Sequence, residues 1–235
     1  MANVPSYSPL LTRDTDLAFD SEAPLTGDIR SALADAGFRD DLSGDDKPPV
    51  TRYTLGDEDA GFYAEFLTPL RGTGVKRHGD PDATVSRAGI TAQKLRHLDL
   101  LLVEPWLVTV GPDQGVPLGK ATQLLVTNPV SFIVQKLLIH KQRKPGKPAQ
   151  DLLYIHDTID LFGGALPTLR ALWANSIRPT LPAKTARSVP ALSADTFATV
   201  TDVIREAVRI PTDRLLSPER LRAVCQFALN QVLDV

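Results

Sequence analysis

The hydrophobic pattern of this chain changes once, at Asn128-Pro129. Before that point apolar residues come in short runs: Val50 to Leu55, Gly61 to Leu67, Trp106 to Val110 and Gln123 to Val126. Turns containing Gly, Pro and Asp separate them, which is the pattern of strands. After it, Val130, Ile133, Val134, Leu137 and Leu138 recur at helical spacing, and Leu152, Ile155, Ile159 and Phe162 repeat the motif. The pattern predicts an α+β fold, with a small mixed sheet and flanking helices over residues 1–128 and a helical domain over 129–235.

A chain of 235 residues, 43% hydrophobic and 23% charged, buries a core without covalent staples. Its single cysteine, Cys225, excludes an intrachain disulfide and lies in an apolar run, so it reads as a small buried hydrophobe. The four histidines, at 78, 97, 140 and 156, lack zinc-ligand spacing. No apolar stretch is long enough to cross a bilayer, and Met1 to Pro9 do not read as a signal peptide. The expectation is a cytoplasmic protein with no membrane partner. A formal net charge of -2 supplies no global attraction to nucleic acid, so any such contact needs a local basic patch.

Within the first part, Leu10 to Phe19 reads as a strand carrying acids. A helix is expected from about Gly27 to Ala36, capped by Thr26 and stopped by Gly37. Asp40 to Pro49 reads as an acidic loop. Val50 to Leu55 and Gly61 to Leu67 read as a hairpin, and Arg71 to Ala88 as a long polar loop. Leu95 to Val103 reads as a short helix. Further helices are expected over 167–177, 194–208 and 218–233, with Ser193 and Ser217 as N-caps and Pro218 at the first helical position.

The most informative stretch is Thr12-Arg13-Asp14-Thr15-Asp16-Leu17. On a strand Asp14 and Asp16 point the same way, about 6.6 Å apart. Two carboxylates so spaced can lean onto hard cations such as Mg²⁺ or Mn²⁺, which take oxygen ligands. Glu65, an acid inside the apolar run Phe62 to Leu67, is the natural third ligand, because a buried carboxylate needs a partner. The bland alternatives are a solvated acidic pair and an edge-strand glutamate facing water.

The order strand with Asp-x-Asp, helix, strand, strand with a third acid resembles the polymerase-beta-like nucleotidyltransferase superfamily. Ala64-Glu65-Phe66-Leu67-Thr68-Pro69-Leu70-Arg71-Gly72 and the helix Asn128 to Arg143 resemble segments of a bacterial nucleotidyltransferase-fold family. The helix and the later Lys147 to Asp151 are similar to an arrangement in abortive-infection nucleotidyltransferase toxins. The likeness covers roughly residues 10 to 165. It implies Mg²⁺- or Mn²⁺-dependent transfer of a nucleotide from a nucleoside triphosphate to an acceptor hydroxyl on RNA, a small molecule or a protein. By position, Asp14, Asp16 and Glu65 would hold the metals. It also implies tRNA or another RNA as a candidate acceptor, and a toxin or defence role with an antitoxin partner.

One departure from the superfamily stands out. A Gly-Ser or Gly-Gly phosphate turn is expected about ten residues before the first acid, yet no Gly precedes Asp14 and only Ser6 and Ser8 stand nearby. Either the chain starts late, or it is a catalytically degenerate nucleotide- or partner-binding module. Lys136, His140 and Arg143 share one helix face, and with Lys141, Lys144 and Lys147 they make a basic patch. They are candidates for contacting triphosphate or RNA phosphates. The alternative is a solvated helix end whose cations suit the dipole. Arg71, with Lys76, Arg77 and His78, is a second basic candidate, set against a plain loop.

Overall fold

The computed structural model describes residues 12–43, 48–57, 61–76 and 78–233. Contacts divide the chain into two compact units, Leu11–Leu102 and Val103–Val235.

The strands of the first unit are β1 (Asp14–Ala18), β2 (Arg39–Ser43), β3 (Val50–Leu55), β4 (Phe62–Pro69), β5 (Thr84–Arg87) and β6 (Ile90–Leu95). They form a six-stranded sheet of order β2-β3-β4-β6-β5, with β1 paired to β4. β4 is the hub. It pairs in parallel with β1 and β6 and antiparallel with β3. Its buried C-terminal half, from Phe66 to Pro69, is the near-continuous run expected of a strand flanked by others.

The sheet has two unlike faces. On one, Tyr53, Ala64, Phe66, Ile90 and Ala92 form a buried core. Tyr53 meets Phe66 edge to face at 5.5 Å. Helix α1 (Ile29–Asp35) contributes Ile29 and Leu33 to this cluster. It starts later than expected, because the carboxylate of Asp28, and not Thr26, accepts the Ser31 N–H at 3.0 Å. The Ile29 N–H bonds the Ala88 carbonyl in the β5–β6 turn. That turn needs Gly89: its φ is +78°, and a Cβ there would stand 2.5 Å from an Asp28 carboxylate oxygen.

Two stretches expected as loop are partly strand. Arg39–Ser43 pairs with β3 as an edge, and Thr84–Arg87 pairs with Ile90–Leu95. The part of the acidic loop over 44–47 lies outside the described residues.

The second unit opens with a two-stranded hairpin, β7 (Trp106–Val110) and β8 (Thr122–Val126). The expected change of character lies where β8 gives way to α2 (Pro129–Ile139). Asn128 caps α2 by accepting the Ser131 N–H at 2.8 Å, while its amide donates to the Val103 carbonyl at 2.8 Å. There follow α3 (Lys147–Phe162), α4 (Leu166–Leu172), a π-type turn (Trp173–Ile177), α5 (Ala183–Thr196), α6 (Asp202–Ala207) and α7 (Pro218–Leu233). Their shared core includes Trp173, whose indole N–H donates to the Leu233 carbonyl at 3.2 Å.

The helix expected over 194–208 is two. α5 begins at Ala183 and runs through Pro190, and Ser193 is buried inside it rather than capping anything. A new helix starts where the Thr201 hydroxyl accepts the Ile204 N–H. Ser217 does cap α7, accepting from the Arg220 N–H at 3.1 Å.

Candidate functional site

Register puts the acids together on one face. In the parallel β1–β4 pair, Asp16 is the partner of Glu65 and Asp14 that of Tyr63. Side chains alternate along a strand, so Asp14, Asp16, Tyr63 and Glu65 project from the same side. Thr15, Ala64 and Phe66 project from the other, and Ala64 and Phe66 lie in the core that receives α1. The acids therefore occupy the sheet face opposite α1. Parallel neighbours lie about 4.8 Å apart, so Asp16 and Glu65 stand side by side on that face.

The third neighbour is Arg52. In the antiparallel β3–β4 pair it stands across from Glu65. Its Nε donates to Glu65 Oε1 at 3.0 Å, and a terminal nitrogen stands 3.0 Å from the same oxygen. Its guanidinium also lies over the Tyr63 ring, 4.3 Å from the centroid. Burial raises the Tyr63 hydroxyl above the usual phenol range, and the charge of Asp14 raises it further. The partner that Glu65 needs as a part-buried carboxylate is Arg52. Neither Arg52 nor Tyr63 was singled out from sequence. The alternation Tyr63-x-Glu65 was a usable signal for the tyrosine. The arginine depended on cross-strand register.

Asp14, Asp16 and Glu65 form an all-oxygen donor set, the chemistry that Mg²⁺ and Mn²⁺ favour. In the conformation described, Glu65 serves Arg52. Among the described residues no group of three or more His, Cys, Asp or Glu side chains is gathered to hold a metal. Ser6 and Ser8, considered for the phosphate turn, lie outside the described residues. Arg71 follows β4 and donates to Asp20 at 2.7 Å and Glu22 at 3.0 Å. In the adjoining basic loop, Arg77 lies outside the described residues.

Two basic candidates of the second unit, Lys136 and Arg143, meet at a buried acid, Asp151, the last residue of the Lys147–Asp151 segment. Asp151, on α3, has a side chain only 1% exposed. Lys136 Nζ reaches its Oδ1 at 3.1 Å, and Arg143 Nε donates to its Oδ2 at 3.0 Å. Lys136 is itself only 14% exposed and lies over the rings of Phe132 and Tyr154, at 5.2 and 5.7 Å. These two cations thus neutralise an interior carboxylate, where a solvated helix face was the bland alternative. His140 is held below the ordinary imidazole range by burial, an effect that Asp151 opposes and Lys141 aids. Its Nδ1 is buried with no hydrogen-bond partner.

No helix among the described residues is long and apolar enough to cross a membrane. No curated protein and no solved structure matches the chain. A family model described as nucleotidyltransferase matches residues 2–177. The matched span takes in the whole six-stranded sheet with its acid face, and ends at Ile177, ahead of α5. The match covers well over half of the sequence, and nucleotidyl transfer is the chemistry that goes with it: the chain belongs to the nucleotidyltransferase family.

Proposed function

We propose that this protein is a metal-dependent nucleotidyltransferase that moves a nucleoside monophosphate from a nucleoside triphosphate to an acceptor hydroxyl. The observation that carries the reading is the β1–β4 register, with Asp16 beside Glu65 and Asp14 on the same face. In this reading the three carboxylates hold Mg²⁺ or Mn²⁺, as in the polymerase-beta-like superfamily. A bound divalent ion supplies charge to the triphosphate and acidifies the acceptor hydroxyl. The acceptor oxygen bonds to the α-phosphorus as the bond to the pyrophosphate oxygen breaks. What the chain adds is alignment for that in-line displacement. Acceptors in keeping with the resemblance are tRNA or another RNA, a small molecule or a protein. A cytoplasmic toxin or defence role, held in check by an antitoxin protein, belongs to the same reading.

The test is incubation with each labelled nucleoside triphosphate, Mg²⁺ and total tRNA or cell extract. Transfer by the whole chain, abolished in both Asp14→Ala and Glu65→Ala, is expected. Transfer that survives either change refutes the site. Growth arrest on expression that persists in Asp16→Asn refutes an enzymatic toxin.

A second reading is favoured by the engagement of Glu65 by Arg52. It is a catalytically silent module that binds nucleotide or a partner. Calorimetry with nucleotide and Mg²⁺ separates the two: binding without turnover supports this reading, and turnover eliminates it.

A further inference from the structure

We infer that the second unit carries a track for a nucleic-acid strand, made of one exposed stripe of α5 and the turn between α2 and α3, whose cations hold phosphodiester groups. The inference supplies an acceptor class for the nucleotidyltransferase reading, and rests on that reading only for the use to which the strand is put.

The formal charge of -2 conceals a division along the chain. Residues 1–102 carry 17 acidic and 11 basic side chains, whereas residues 103–235 carry 11 acidic and 15 basic. The acids of the second part are also unevenly placed. None occurs over 114–150 or over 161–194, stretches that hold six and four Lys or Arg residues. Such asymmetry within one chain is the mark of a part that meets a polyanion.

Helix geometry gathers these cations. Lys184, Arg187, Ala191 and Asp195 recur along α5 at helical spacing and are all exposed. The stripe is about 16 Å long. At its end Asp195 accepts from Lys141 at 2.8 Å, which fastens the α2–α3 turn to α5. That turn presents Lys144 and Lys147, both exposed, with the Lys147 N–H bonded to the Lys144 carbonyl at 3.1 Å. Asp195 is thus engaged by Lys141, while among the described residues Lys144, Lys184 and Arg187 enter no ion pair. Lys147 stands in the first turn of α3, which has no acid and where the helix dipole disfavours a cation. Stability does not account for a lysine there.

The cations are strung along a surface instead of converging on one point, which suits a strand and not a single phosphate. Among the described residues no large exposed apolar side chain lies on α5 or on the turn. A protein partner needs an apolar centre, whereas phosphate contacts need only cations and hydrogen-bond donors. The α5 stripe also lies beyond Ile177, so it is not something the family match supplies.

The test is fluorescence anisotropy of a labelled 20-nucleotide single-stranded RNA with the whole chain, in EDTA, from 50 to 200 mM salt. Lys144, Lys147, Lys184 and Arg187 together predict a slope of log affinity against log salt of about -2.8, so affinity falls about fiftyfold over that range. Lys184→Gln with Arg187→Gln should halve the slope and weaken binding at 50 mM salt by about tenfold or more. Arg209→Gln with Arg220→Gln removes the same charge off the stripe and should leave binding within about twofold. DNA of the same sequence should bind within a few-fold, because phosphate contacts do not read the 2′-hydroxyl. No binding at 50 mM salt, or an undiminished slope in the α5 variant, overturns the inference. Equal weakening by the two double variants reduces the effect to net charge and overturns it too, as does binding confined to RNA. A polyglutamate peptide that displaces the RNA as well as unlabelled RNA does would assign the surface to an acidic protein instead. None of these outcomes bears on transfer itself, which Asp14→Ala and Glu65→Ala decide.

Discussion

Replacing Asp151 by Asn removes the charge that two cations share while changing the side-chain volume little. Lys136 and Arg143 approach the carboxylate at 3.1 and 3.0 Å, and the acid is 1% exposed. Breaking a buried ion pair from one side costs about 3–5 kcal/mol, because the partner keeps its charge and loses its compensation. Arg143, 33% exposed, can turn to water, so most of the penalty falls on Lys136 at 14%. Asn still accepts a hydrogen bond, and the Phe132 and Tyr154 rings still face the ammonium. The expected loss is therefore at the lower end, about 3 kcal/mol. For a chain of this size that corresponds to a Tm lower by about 6–12 °C. Urea denaturation followed by circular dichroism at pH 7 reads it directly. Lys136→Met in the Asp151→Asn background should then cost little, giving a coupling of about 2 kcal/mol in a double-mutant cycle. A loss under about 1 kcal/mol for Asp151→Asn would refute the interior-pair reasoning. Lys136 would then be a cation held for something other than Asp151.

Other predictions follow from the same structure. His140 has a pKa lowered from its ordinary 6.5 by burial, so below that value the unfolded chain takes up a proton that the folded chain resists. Its contribution to stability is complete above about pH 6.5 and is lost as pH falls through the folded value; thermal melts from pH 7.5 to 5 should show this slope, reduced in His140→Gln. Gly89→Ala forces a left-handed residue and a contact with Asp28, and should destabilise the chain by about 1–2 kcal/mol in urea denaturation, whereas an open, unstrained turn there would leave it unchanged.

The parts of this fold that were legible in the sequence are those specified locally. The change from strand to helix after Asn128 follows from hydrophobic period, and the Ser217–Pro218 start of α7 from capping chemistry. What was missed depends on residues distant in sequence or on disguised turns. β5 and β6 are joined through Ala88 and Gly89, both at positive φ, in place of the Asn-Gly that usually announces such a hairpin. Pro190 reads as a helix breaker, yet it lies within α5. The acids of β1 and β4 were legible because an acid in an apolar strand is conspicuous. Arg52 was not, because only the β3–β4 register brings it to Glu65. Likewise nothing in the helical spacing of Lys136 and Arg143 points to Asp151, which approaches from α3.

Among the described residues β1 pairs with β4 alone. The strand bearing Asp14 and Asp16 must wait for a partner made much later in the chain, and closing so long a loop is rewarded only at the end. The sheet hydrogen bonds of β1 therefore all depend on β4. A chain with β1 detached keeps its hydrophobic interior but has two of its three acids adrift. The placing of two of the three acids thus hangs on that one ladder.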